Sequence, residues 1–163
     1  RLDKQKNLYN TITLFNNYDF KLDILGNGSL KKKLNEFIKK NLFNVSFITK
    51  TYKNQDLPSL FNKYNFIILL SHYEGNPKIL LEAMSCQICP IVSNVPGINN
   101  LIINNRNGLI FDLNKTENIT KKLKKLSKDE LIKMQVNAKN TVKNNNRLEL
   151  IIKSEQKIIN ELF

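Results

Sequence analysis

The chain contains no run of about 18 apolar residues, which excludes a transmembrane helix, although 41% of its residues are hydrophobic. Its opening, Arg-Leu-Asp-Lys-Gln-Lys, lacks the charged, apolar and cleavage regions of a signal peptide in their order. A chain that starts on Arg1 rather than on methionine reads as a piece of a longer protein. Histidine is reduced to His72, and cysteine to Cys86 and Cys89. One C-x-x-C and a histidine in another loop fall short of the roughly four ligands of a structural zinc site. A redox pair would open a helix, where the dipole activates the thiol, but this motif closes one. Two packed thiols in a reducing, cytoplasmic compartment are therefore expected. No Asp-x-Asp motif occurs, so no metal is expected, and neither an internal repeat nor a long linker divides the chain. Its 163 residues read as one domain, 1–163, long enough to bury a core.

Acidic residues are scarce beside basic ones: 14 Asp and Glu against 26 Lys and Arg give a formal charge of +12. Such an excess raises the question of nucleic acid or of a membrane surface. Much of it, however, lies in LKKKLNEFIKK (30–40) and KKLKKL (121–126), where Leu, Phe and Ile keep a helical period and leave lysines on the solvated face. A basic nucleic-acid-binding module would also need aromatic platforms among the lysines, whereas Tyr9, Phe37 and Phe43 fall at core positions. No nucleic-acid partner is expected. A basic face at the cytoplasmic side of an anionic membrane stays open as a peripheral contact of the full protein.

Periodicity alternates strand and helix. Apolar Leu8, Ile12 and Phe15 give a helix over 6–17. FKLDIL (20–25) reads as a strand ending in the turn Gly26-Asn27-Gly28-Ser29, which opens a helix over 30–41. NVSFIT (44–49) is a strand, a short helix with Pro58 in its first turn follows near 57–64, and NFIILL (65–70) suits a central parallel strand. KILLEAMSC (78–86) is helical, Ile91 and Val92 lie in a short strand, GLIFD (108–112) is another, and helices are expected near 115–126, 128–143 and 147–162. Repeated β–α units predict an α/β fold, a Rossmann-like doubly wound parallel sheet with a helical tail. Ligands in such folds bind beyond the carboxyl ends of the strands. The loops at Gly26–Ser29, Thr49–Tyr52, Ser71–Lys78 and Ser93–Gly97 should therefore share one rim.

On that rim stands SHYEGNPKILLEAM (71–84), with Glu74 and Glu82 on either side of a helix start. Gly75 and Pro77 are read as fixing the turn. The amides of Asn76, Lys78 and Ile79 then lie at a helix end with spare donors and partial positive charge, suited to a diphosphate or to sugar oxygens. Glu82, two turns along, has a carboxylate able to accept paired hydrogen bonds from a cis-diol such as ribose. Glu74 faces the same space nearer the phosphates. From spacing alone, a capping Glu74 and a merely solvated Glu82 are an equally good reading.

EGNPKILLEAMSC, with seven residues between its two glutamates, resembles the signature of the retaining glycosyltransferases of GT-B architecture, glycosyltransferase family four (glycosyl transferases group 1). RLDKQKN (1–7) is similar to the family's Gly-Arg-Leu-x-x-x-Lys-Gly segment, LGNGS (25–29) to its Gly-x-Gly-Pro turn, and VSFITK (45–50) to the strand leading to its base-binding loop. SNVPGINNLIINNRNGLIFD (93–112) is similar to its stretch from the diphosphate loop to Asn-Gly-Leu-Leu-Phe. The resemblance implies the C-terminal, donor-binding half of the fold, with the first strand and the N-terminal acceptor domain absent. Catalytic roles then fall to Glu74 at the donor sugar and to Arg1 and Lys6 at the diphosphate. Glu82 would hold the ribose, with Gly75, Asn76, Pro77, Lys78, Ile79, Gly26, Gly28, Thr49, Lys50 and Gly97 in the donor site. A nucleoside-diphosphate sugar would be the substrate, with no cofactor or metal. Three positions depart from the pattern: Asn100 where the family often has Glu, Gln87 where a left-handed Gly is common, and Cys89-Pro90 for Pro-Val. A nonhydrolysing sugar-nucleotide epimerase shares the architecture, but the run from Glu74 to Met84 speaks against it.

Overall fold

A computed structural model describes residues 1–16, 20–48, 50, 52–115 and 117–145. Five strands form where the apolar runs stand: β1 (Leu22–Leu25), β2 (Val45–Ile48), β3 (Phe66–Leu69), β4 (Cys89–Ser93) and β5 (Leu109–Phe111). Six helices separate or follow them: α1 (Leu8–Asn16), α2 (Lys31–Lys40), α3 (Leu57–Phe61), α4 (Lys78–Ser85), α5 (Glu117–Lys125) and α6 (Lys128–Asn145). Every pairing is parallel, with Leu22 opposite Val45, Phe66 opposite Cys89 and Ile91 opposite Leu109. This is the α/β, Rossmann-like layering that the alternation predicts. The helix expected over 147–162 lies outside the described residues.

The sheet comes in two parts, β1–β2 and β3–β4–β5, and no ladder joins them among the described residues. Burial follows the division. All of β4 is buried, flanked on both sides, whereas every residue of β3 is half-buried. NFIILL therefore forms a strand of central composition with one neighbouring strand among the described residues. Side chains cross the divide instead. Leu25, Ile48 and Ile67 pack around Leu57, Leu60, Phe61, Ala83 and Ile88 on the face of α3 and α4. On the other face Phe20 and Leu22 pack against the cluster of Phe15, Ile91, Leu109, Ile119 and Leu123. The phenol of Tyr64, just ahead of β3, donates to Asp23 Oδ2 of β1 at 2.6 Å.

The lysine-rich helices meet the core as their period requires. Leu34 and Ile38 are buried beneath α2, and Ile119 and Leu123 beneath α5, with most of the lysines outward. Phe37 packs edge to face on Tyr9 and on Phe43, at 5.0 and 5.4 Å between ring centres. These rings are committed to packing.

β4 is longer than the Ile91–Val92 strand expected, because Cys89 and Pro90 belong to it. Pro90 pairs opposite Ile67 of β3, and β5 begins only opposite Ile91, so the absent N–H falls beside the end of a ladder. The C-x-x-C therefore spans the turn from α4 to β4. Cys86 is half-buried at the helix end, while Cys89 is fully buried and burial pushes its thiol up to about 12. That turn is a Schellman closure, with Ile88 N–H donating to Ala83 O at 3.1 Å and Gln87 N–H to Met84 O at 3.0 Å. Gln87 carries φ 61°, the left-handed conformation expected at this place after the helix.

Two measurements follow from this packing. Gln87→Gly should raise stability by about 0.5–1 kcal/mol in urea denaturation, the relief of a left-handed Cβ exceeding the added chain entropy. A loss would show that the Gln87 side chain contributes more than its backbone costs. Burial first, and then the Asp23 hydrogen bond, raise the Tyr64 hydroxyl from 10.0 to about 12. Folding thus favours the neutral phenol. This stabilisation is complete below pH 10 and lost as pH rises through 12. Tyr64→Phe should flatten the alkaline fall in stability over that window, and an unchanged slope would dismiss the bond.

Candidate active site

Residues 1–6 cross the carboxyl ends of both parts of the sheet. Leu2 N–H donates to Asn27 O at 2.9 Å and Leu2 O accepts from Leu30 N–H at 3.2 Å, which ties the segment to the end of β1. Gln5 O accepts from His72 N–H at 2.9 Å, and Gln5 Nε2 donates to Tyr73 O at 2.7 Å, which ties it to the end of β3. The loops after β1 and β3 therefore share one rim; of the loop expected at Thr49–Tyr52, residues 49 and 51 lie outside the described residues. Two of its glycines exist for close approach. A Cβ on Gly28 would lie 2.6 Å from Leu2 N, and one on Gly97 (φ 84°) would overlap the carbonyl oxygens of Glu74 and Gly75. Gly26, at φ 133°, sits over the Leu2 side chain. Gly28 and Gly97 thus shape the rim through backbone contact, and Gly26 through the Leu2 side chain.

The two ends of the rim meet in one ion pair. Lys6 Nζ lies 2.6 Å from Glu74 Oε1, and the side chains are only 22% and 6% exposed. Sixty-eight residues separate them in sequence. Lys6 was expected at the phosphates and Glu74 at the sugar; the structure brings the two into direct contact, so neither charge stands alone. Removing either partner of a pair this shielded from water would strand the other, because each charge has lost hydration that only its partner replaces. Arg1 differs. Its Nε donates to Asp3 Oδ2 at 3.0 Å, its side chain is 80% exposed, and that hydrogen bond above all holds the Asp3 carboxyl below its ordinary value.

Past Glu74, Pro77 is the residue just before α4, in keeping with a helix that begins at Lys78, but the free donors differ from those expected. Lys78 N–H is turned back on Asn76 O at 2.9 Å, so it is no longer a spare donor, which leaves the amides of Asn76 and Ile79. Gly75 has no positive φ, and a Cβ there would meet nothing within 4 Å. The space above Gly75 is therefore open to a ligand. Glu82 lies on α4, half-buried, and its carboxylate has no hydrogen bond or ion pair among the described residues. Lys50 is exposed, with its ammonium 5.2 Å from the centre of the Tyr52 ring. Thr49 lies outside the described residues.

Sequence reasoning missed three participants. Gln5 and His72 form the bridge between the two loops, and Tyr73, 63% exposed, presents an aromatic ring beside Glu74. An exposed aromatic next to an acid in the loop was the available signal. The stretch at 93–112 also holds a structural knot. Buried Asn107 accepts from Ile103 N–H at 2.7 Å and donates to Leu101 O at 3.1 Å and to Thr141 Oγ1 of α6 at 2.9 Å. This fixes the helix-free connection from β4 to β5, and with it the loop that carries Gly97.

The model of the family described as "Glycosyl transferases group 1" matches residues 1–147. An uncharacterized glycosyltransferase of Methanocaldococcus jannaschii is 28% identical over 128 residues, covering 77% of this chain and 36% of that protein. The GalNAc-alpha-(1->4)-GalNAc-alpha-(1->3)-diNAcBac-PP-undecaprenol alpha-1,4-N-acetyl-D-galactosaminyltransferase of Campylobacter jejuni is also 28% identical over 128 residues, covering 77% of this chain and 35% of its own length. The chain thus spans about a third of these relatives. Among solved structures, Anabaena HepE in complex with UDP-glucose superposes with a TM-score of 0.80 at 17% identity, over 99% of this chain and 46% of that one.

The ion pair is testable through stability. Lys6→Met should cost about 1–3 kcal/mol by stranding a shielded carboxylate, and Glu74→Gln in the same chain should recover at least half of that loss. Single effects that simply add in urea denaturation would show that the contact carries no energy.

Proposed function

The chain belongs to the glycosyl transferases group 1 family, and on that basis we propose that it is the donor-binding part of a retaining, metal-independent glycosyltransferase. The donor is a nucleoside-diphosphate sugar, and the acceptor is a glycan, a lipid-linked sugar or a related molecule held by a further domain. One observation carries this reading: the Lys6–Glu74 pair stands at the junction of the rim loops, and the unpaired carboxylate of Glu82 follows on the helix that starts there. The UDP-glucose complex of Anabaena HepE supports a nucleotide-sugar donor.

The roles follow from the chemistry of the leaving group. As a sugar departs from a nucleoside diphosphate, positive charge grows on the sugar and negative charge on the β-phosphate. Lys6 is within reach of both ends, and Arg1 and the amides of Asn76 and Ile79 would add fixed positive potential at the phosphates. Glu74 faces the sugar, and its contact strengthens as the ring becomes cationic. Glu82 takes the ribose diol. While no donor is bound, Glu74 neutralises Lys6. The diphosphate then competes with Glu74 for that ammonium, and its arrival releases the carboxylate toward the sugar.

The reading predicts a difference between the two glutamates. Screening UDP, GDP and ADP by thermal shift without metal should identify one that binds. Calorimetry with it should show Glu82→Ala weakening binding by about 1–3 kcal/mol. Glu74→Ala should leave the bare diphosphate as tight or slightly tighter, because Lys6 is freed. Strict Mg²⁺ dependence, or loss of binding in Glu74→Ala with none in Glu82→Ala, would overturn the assignment. The chain alone should transfer no sugar, since transfer needs an acceptor wall and a closed cleft. Transfer by the chain itself would refute the division of labour.

A further inference from the structure

The sequence holds two Asn-Gly pairs, Asn27-Gly28 and Asn107-Gly108, and the fold treats them in opposite ways. Asparagine before glycine is especially open to attack by the main chain on its own side-chain amide, because no Cβ on the glycine shields the attacking nitrogen. Asn27 is exposed in the turn after β1. Its Oδ1 accepts from Gly28 N–H at 3.0 Å. The side-chain carbonyl is therefore held against the one nitrogen able to attack it, and proximity of this kind replaces a chance encounter. Lys31 and Lys32 border the same hollow as Gly28, and their charges favour the anionic form of that nitrogen. Asn107 is only 1% exposed, and both ends of its amide are held. Oδ1 accepts from Ile103 N–H, and Nδ2 donates to Leu101 O and Thr141 Oγ1. Gly108 beside it is closed in, since a Cβ there would lie 2.5 Å from Pro90 Cγ. Neither water nor the attacking geometry is available to Asn107 until that bracket opens.

We propose that Asn27 is a site of spontaneous modification, and that its deamidation disables the donor rim. Hydroxide takes the proton of Gly28 N–H, and the electron pair of that nitrogen forms a bond to Asn27 Cγ. The Cγ–Nδ2 bond breaks, and the side-chain nitrogen leaves as ammonia with a proton from water. Water then opens the cyclic imide at either carbonyl, giving an aspartyl or an isoaspartyl residue. The balance is an amide and water in, a carboxyl group and ammonia out. Both products act on the rim. Each adds negative charge beside Gly28, where the donor reading, on which this consequence rests, puts a diphosphate. The isoaspartyl product also inserts a methylene into the main chain between positions 27 and 28. There a Cβ on Gly28 would already lie 2.6 Å from Leu2 N, and Leu2 N–H is bonded to Asn27 O. A longer link at this place pushes residues 1–6 off the end of β1 and withdraws Lys6 from Glu74. Hydroxide starts the reaction, so the rate rises with pH.

The test ages the chain at mildly alkaline pH and follows each asparagine by peptide mapping in a mass spectrometer, with isoaspartyl methyltransferase labelling for the rearranged product. Asn27 should convert, and Asn107 should convert at least about tenfold more slowly, because three hydrogen bonds must break first. In urea the two should react at comparable rates. Calorimetry with whichever of UDP, GDP and ADP binds should show the converted chain weakened by about threefold or more, and Asn27→Asp, which adds charge alone, weakened less. Asn27→Gln, whose longer side chain closes a larger ring less readily, should bind within about twofold of the parent when fresh and keep that affinity on ageing. The proposal falls if Asn27 stays intact in the folded chain while the unfolded chain converts there. It falls too if Asn107 keeps pace with Asn27 in the folded chain, or if the converted chain binds as tightly as the fresh one. Should no nucleotide bind at all, the donor reading fails separately. Urea denaturation of fresh and converted chains then decides: lower stability after conversion upholds the disturbance of the rim, and equal stability overturns it.

Discussion

The first six residues hold the rim together, and the candidate chemistry depends on how closely they can lie against the sheet. Their backbone is bonded to the end of β1 through Leu2 and to the end of β3 through Gln5. Both bonds require main chain to approach main chain, which is why Gly28 lies under Leu2 and Gly97 under Glu74 and Gly75. A side chain at either glycine would lift one loop off another. The Lys6–Glu74 contact needs all of these placements, because its partners belong to loops that no regular ladder joins. Two of the 5 glycines, Gly28 and Gly97, stand where that approach is tightest.

Charge is distributed unevenly along the rim. At its middle Lys6 is balanced by Glu74, at one side the Glu82 carboxylate has no partner among the described residues, and at the other stand Lys4, Lys33 and His72. The net charge of +12 thus has two components of different meaning. Many lysines lie on the outer faces of α2 and α5, whereas a few stand at the rim.

Much of this was legible in the sequence because it is local. The strand at NFIILL, the helix from Lys78 and the turn after β1 follow from apolar period and from Gly and Pro. The left-handed position at Gln87 was readable from the place where a Gly is usual. What could not be read are the contacts between distant segments. Nothing in RLDKQKN says that Lys6 meets Glu74, 68 residues on, or that Gln5 bridges to His72 and Tyr73. The glycines were recognised as site residues, but their reason is the neighbouring backbone, which periodicity does not show. Asn107 entered the sequence reading only within the stretch 93–112, and it is a buried bracket between the β4–β5 connection and α6.

The two-part sheet has a consequence for how the molecule opens. Backbone ladders are directional and cooperative, so strands that share one tend to open together. Among the described residues β1 and β2 share a ladder only with each other, and a pair of strands by itself is marginal in water. What retains them is side-chain packing from α1, α2 and α3, together with the rim bonds of Leu2 and Gln5. The first part of the sheet can therefore loosen as a unit while β4, buried throughout, stays closed. Amide exchange would then separate the chain into a fast half and a slow half. A molecule bound along the rim would grip both halves, and much of its effect would appear as slowed exchange in β1 and β2, remote from the atoms it touches.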